Sequence, residues 1–280
     1  MPLVAADRDP APPTPPLVLK RVTALIGPYG SGKSELALLL AEQAAQELAA
    51  QPPQERRYQR VQLADLDVLK PYFRSREAGL AMLAQGVGIL APPAALAASD
   101  LPILTAEMRA AIGEPMTRLI MDVGGDPTGA KALGSMSDAM SAAPHDLLLV
   151  LNRNRPFMNS VERVAETARR IGAAANLALT GLVSNTHYLD HTNLDDILGG
   201  IAFSQRVAEQ LRIPLVLVGV SEALLPQMHG LTGLPPLVVV RRHLQPAFMG
   251  GVVLGQGPIN LPLSVPLNHP AAAPKAQLSP

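Results

Sequence analysis

The chain has 280 residues with 23 basic against 23 acidic side chains, so its formal net charge is zero. That balance argues against a broad non-specific nucleic-acid surface, and the lack of any cysteine excludes disulfides, thiolate-held zinc and iron–sulfur clusters. A hydrophobic content of 48%, with 3% aromatic and no tryptophan, predicts an aliphatic core in one large α/β domain or two smaller ones.

Residues 1–19 are Pro-rich and aperiodic, which predicts a flexible tail. Their first sixteen, MPLVAADRDPAPPTPP, have neither the basic start nor the hydrophobic core of a secretory signal. No apolar run in the chain approaches the ~20 residues of a membrane span. The expectation is a cytoplasmic protein without a membrane anchor. Residues 245–280 repeat the Pro-rich character and predict a second flexible tail. Between the tails, 20–244 alternates short β-rich runs with helical patterns, the mark of parallel βαβ units.

The first unit is the most informative. A buried strand (Val22, Ala24, Leu25, Ile26) leads into Gly27-Pro28-Tyr29-Gly30-Ser31-Gly32-Lys33-Ser34, and a helix over 33–50 follows, ended by Pro52-Pro53. The loop fits G-x-x-x-x-G-K-[ST] at every fixed position. Gly27, Gly30 and Gly32 would let successive N–H groups turn toward phosphate oxygens, with Ser31 in the same cradle. The helix adds its positive end. Lys33 would reach the β- and γ-phosphates, and the Ser34 hydroxyl would ligate Mg²⁺. Strand, loop and helix in this order predict a nucleoside triphosphate ligand.

A strand over 60–64 runs into Asp65-Leu66-Asp67. Acids at the carboxyl end of a strand beside a phosphate loop can hold a Mg²⁺-bound water or orient the attacking one; Asp65 and Asp67 are both candidates, against a plain turn-forming pair. Residues 86–90 predict a short edge strand and 105–113 a helix. The apolar strand over 118–123 ends in Asp122-Val123-Gly124-Gly125-Asp126, which puts Asp122 where a carboxylate supports the metal and Gly125 where a backbone N–H meets the γ-phosphate.

Further strands are expected over 146–151, 177–184, 214–220 and, at an edge, 236–240, with helices over 160–175 and 193–211. Asn152-Arg153-Asn154-Arg155-Pro156 follows the first of these strands, and Asn185-Thr186-His187-Tyr188 the second. His187 and His191 stand four apart, but THYLDHTN has a loop's composition and gives no helix face for a metal.

A phosphate loop, an Asp-x-Asp strand end, a D-V-G-G turn and an Asn-ending strand, in this order, resemble the SIMIBI class of P-loop proteins. Within it the chain is similar to the CobQ/CobB/MinD/ParA nucleotide-binding superfamily. DLDVLKPYFRSREAG followed by DVGGD resembles a less characterised ATP-binding branch. The resemblance covers about 20–240. It implies a three-layer α/β fold with a mostly parallel sheet of seven or eight strands, and switch roles for Asp65 or Asp67 and for Gly125. It also implies an adenine-reading Asn185, because a carboxamide matches adenine's N6/N7 edge. Neither Asn152-Arg153-Asn154-Arg155 nor Asn185-Thr186-His187-Tyr188 is the guanine-reading Asn-Lys-x-Asp, so ATP is favoured over GTP.

One position departs from the superfamily. Its MinD/ParA members carry a second lysine early in the loop, which reaches a partner's nucleotide; this chain has Pro28 there. Arg74, Arg76, Arg153 and Arg155 are candidate substitutes, against simple exposed arginines. A homodimer or an unidentified protein partner is left open. The leading expectation is a Mg²⁺-dependent ATPase acting as a conformational switch. An ATP-dependent synthetase or kinase, with an acceptor pocket from Arg74, Arg76 and 86–115, stands beside it, as does a non-catalytic ATP-sensing module docking through the tails.

Overall fold

The computed structural model describes residues 17–66, 79–90, 101–156 and 158–241. Nearly all of both tails, Asp67, Arg74 and Arg76 lie outside the described residues.

Eight strands form one sheet: β1 (Val22–Gly27), β2 (Arg60–Leu66), β3 (Val87–Leu90), β4 (Thr117–Gly124), β5 (His145–Leu151), β6 (Gly181–Ser184), β7 (Leu215–Ser221) and β8 (Leu237–Val240). Their order is β3-β2-β4-β1-β5-β6-β7-β8, and all seven pairings are parallel. Parallel neighbours need crossovers. These are built from α1 (Lys33–Ala50), α2 (Gly79–Ala84), α3 (Leu101–Gly113), α4 (Pro127–Gly134), α5 (Ser137–Ala142), α6 (Val161–Ala175) and α7 (Leu194–Leu211).

Strand alternation separates the layers. Val22, Ala24 and Ile26 of β1 face one core, shared with Met108, Leu133, Val164 and Phe203 of α3, α4, α6 and α7. Leu25, Ile120 and Leu148 face the other, where α1 packs with Leu36, Leu40 and Ala41. A sheet covered on both faces explains why its central strands read as continuous apolar runs. This is the three-layer α/β fold of P-loop NTPases, and the expected edge strands do form the two ends of the sheet.

The differences from the sequence expectation are local. The strand expected over 177–184 begins only at Gly181. α6 ends on Asn176 in a left-handed conformation (φ 49°), Leu177 N–H then bonds Gly172 O at 3.2 Å, and the next residues bring the chain back to the sheet. β2 runs on through Leu66, so Asp65 lies inside the strand. α2, α4 and α5 are too short to show periodicity. α4 nonetheless carries a start signal: Asp126 Oδ1 accepts from Gly129 N–H at 3.1 Å, ahead of a proline that tolerates the first helical position. No described helix is long and apolar enough to cross a membrane.

At the start of α7, Asn193 and Asp196 form a reciprocal box. Asp196 N–H donates to Asn193 Oδ1 and Asn193 N–H to Asp196 Oδ2, both at 3.0 Å. Asn193→Ala should cost about 1 kcal/mol, read as a lower urea midpoint at unchanged slope; an unchanged midpoint would show that the box adds nothing.

Candidate functional site

Between β1 and α1 the chain turns tightly, closed by Ser31 N–H donating to Pro28 O at 3.1 Å. Gly30 (φ 77°) and Gly32 (φ 83°) take left-handed conformations that a side chain would strain. Gly27 is required for a different reason than expected. Its backbone is ordinary strand, and a β-carbon there would lie 2.6 Å from Val150 O of β5. The first N–H groups of any helix lack an intrahelical acceptor. α6 and α7 meet that need with Ser160 and Asn193, but the N-cap of α1 is Gly32, which has no side chain to offer. Ser31 is fully buried, and its Oγ has no hydrogen-bond partner among the described residues. Lys33 is buried and Ser34 half-buried at the same helix end.

Register brings the acids to this loop. β4 lies between β2 and β1, and its Asp122 stands opposite Asp65 on one side and Leu25 on the other. Residues in register on parallel strands share a face, so both carboxylates lie on the face that α1 covers. Asp65 is 4% exposed and Asp122 2%. Two acids this buried, on strands about 4.8 Å apart, hold their charges only beside a cation or strong donors. Just beyond, Gly124 pairs with Gly27, and a β-carbon on Gly125 would overlap the Gly27 carbonyl. The Gly125 backbone is therefore seated against the base of the loop, while Asp126 starts α4.

Asn185 follows β6 and is 5% exposed. Its Nδ2 donates to Ser31 O at 2.8 Å, and a β-carbon on either Gly32 or Gly219 would collide with the carboxamide. Its amide thus contacts the phosphate loop directly. Asn152, buried at the end of β5, plays a related part that sequence reasoning missed. Its Nδ2 donates to Gly30 O (3.4 Å) and His187 O (3.2 Å), and its Oδ1 accepts from Asn154 N–H (3.0 Å) and His187 N–H (3.4 Å). The signal was available, since an apolar strand ending in Asn is the pattern that singled out Asn185.

Of the arginines considered as substitutes for the loop lysine, Arg155 reaches the loop: its Nε donates to Gly30 O at 2.8 Å. Arg153 lies instead across Gly199 of α7. His191 sits in a 3₁₀ turn, Leu189–His191. Among the described residues no group of three or more His, Cys, Asp or Glu gathers as a metal cage. Donors for a metal at the loop would therefore come from Ser34, from water around Asp122, and from the ligand's own phosphates.

No known family's sequence profile matches the chain, and no curated protein matches it. Solved structures do. FtsY from Mycoplasma mycoides matches at 20% identity and TM-score 0.47, covering 71% of this chain and 59% of that one. Chloroplast FtsY from Physcomitrella patens matches at 21% and 0.49, covering 78% and 60%. FlhF complexed with GTP and Mg²⁺ matches at 12% and 0.44, covering 71% and 65%. The chain thus spans about three fifths of the length of the FtsY structures. Likeness at this level concerns the fold alone, which the sheet order and the loop already define.

Asn185→Ala would leave Ser31 O without its donor, a loss of about 1–2 kcal/mol, and would slacken the loop. We expect ATP and GTP affinities to fall together, by about tenfold, in calorimetric titrations. A fall confined to ATP would make Asn185 a base reader instead.

Proposed function

We propose that this chain is a Mg²⁺-dependent ATP-binding protein of the SIMIBI class that hydrolyses ATP as a conformational switch, most simply in the cytoplasm. The observation that carries this reading is the registered pair of buried carboxylates, Asp65 on β2 and Asp122 on β4, next to β1 and the uncapped helix end that follows it. A lysine and a serine hydroxyl at that helix end complete the donor set for a magnesium-bound polyphosphate.

In this reading, Gly27, Gly30, Ser31, Gly32 and Lys33 cradle the phosphates. Ser34 holds Mg²⁺ directly and Asp122 holds it through water. The ion, when bound, would offset charge developing on the transferred phosphoryl group. Asp65, or Asp67 beyond the described residues, would orient the attacking water. Gly125 would report the γ-phosphate. Its backbone sits on Gly27 and Asp126 caps α4, so a shift at this turn passes to a helix on the opposite face of the sheet. ATP is preferred because neither strand-end Asn segment carries the Asn-Lys-x-Asp pattern. GDP and GTP, bound in several of the matched structures, are the natural competitors to assay. A homodimer or protein partner would be the receiver of the switch.

Steady-state ATP turnover tests the assignment. Lys33→Ala and Asp122→Asn should each lower kcat by about 100-fold or more, the size expected for lost transition-state electrostatics, with unchanged far-ultraviolet circular dichroism. Wild-type turnover matched by both variants would refute the assignment. A clear preference for GTP would correct the base while leaving the phosphate site intact.

A further inference from the structure

Beyond the loop on its β5 side lies an open cleft of about 560 Å³. One wall is α7, with Phe203 and Arg206 three apart on one helix face. The other is the segment after β5, which carries Arg153 and Arg155; Tyr188, 53% exposed, stands at the rim.

Several of the cleft's side chains are held in place by specific contacts. Arg153 lies across Gly199, where a β-carbon would be 2.5 Å from its Nη1, and its backbone N–H donates to Thr186 Oγ1 at 3.3 Å. Arg155 is tied to the phosphate loop through Gly30 O. Arg206 stands with Cζ 6.0 Å from the Phe203 ring centroid. Among the described residues, no aspartate or glutamate lines the cleft and none of the three arginines pairs with a carboxylate. Asn154 adds a buried Nδ2 with no acceptor among the described residues. Guanidinium groups stay protonated at any working pH. Three of them line one cavity, and each offers a planar fork suited to carboxylate or phosphate oxygens.

We propose that this cleft is a second ligand site, for a small organic polyanion carrying at least two carboxylate or phosphate groups. It is distinct from the phosphate loop, although Arg155 touches both. It also differs from the acceptor pocket expected around Arg74, Arg76 and 86–115. The proposal rests on the nucleotide reading only in supposing that Mg²⁺-ADP fills the loop in the assay.

The test is calorimetry on the full chain at saturating Mg²⁺-ADP, titrated separately with tricarballylate and phenyl phosphate to distinguish carboxylate from phosphate ligands. At least one should bind. The double variant Arg153→Gln/Arg206→Gln should weaken it more than tenfold, with ADP affinity within twofold and an unchanged melting temperature. Both substitutions are at exposed positions. Lys33→Ala, titrated without nucleotide, should retain polyanion binding. No heat with either probe, or equal binding by the double variant, would overturn the proposal. So would binding lost in Lys33→Ala but kept in the double variant, because the anion would then occupy the phosphate loop. If Mg²⁺-ADP itself fails to bind while polyanion binding still depends on Arg153 and Arg206, the nucleotide reading fails and the cleft stands.

Discussion

The site rests on one geometric constraint: two carboxylates, Asp65 and Asp122, buried in register on the sheet face that α1 covers. Removing an ion from water costs several kcal/mol even after relaxation. Asp65 and Asp122 cannot avoid that cost by turning outward, because the β2–β4 register fixes both on the face covered by α1. In the proposed site, Lys33, the α1 dipole and a bound Mg²⁺ would offset that cost.

The loop is braced for this task from behind. Pro28 O accepts from Ser31 N–H, Gly30 O from Arg155 and Asn152, and Ser31 O from Asn185. These contacts engage three of the loop's carbonyl acceptors, which would otherwise oppose an anion. Beyond the loop's own turn, the bracing comes from two other strand ends, β5 and β6, so the site is a product of the sheet order and not of the loop alone. Gly125 packs on Gly27 from the β4 side and completes the enclosure.

Much of this was legible in the sequence because the phosphate loop and the apolar strands are local signals. α1 and the strand carrying Asp122 fall within a residue of their expected bounds, and Asp65 and Asp122 stand in register on neighbouring strands. What was not legible is non-local. Gly27 looks like a conformational glycine in the motif, yet its need is space beside Val150, a residue more than a hundred positions away. The Asn152 and Arg155 contacts with Gly30, and the Asn185 contact with Ser31, depend on which strands end up adjacent. Composition could not report that. Short helices such as α5 carry too few turns for periodicity, and the strand expected from Leu177 lost its first half to the helix-ending turn at Asn176.

The most direct test of the account is amide hydrogen exchange across 27–36 with and without Mg²⁺-ATP. The account predicts strong slowing at Gly30, Gly32, Lys33 and Ser34 when the nucleotide is present, with little change along the amino-terminal halves of the strands. Unchanged exchange at those four amides under saturating nucleotide would contradict it.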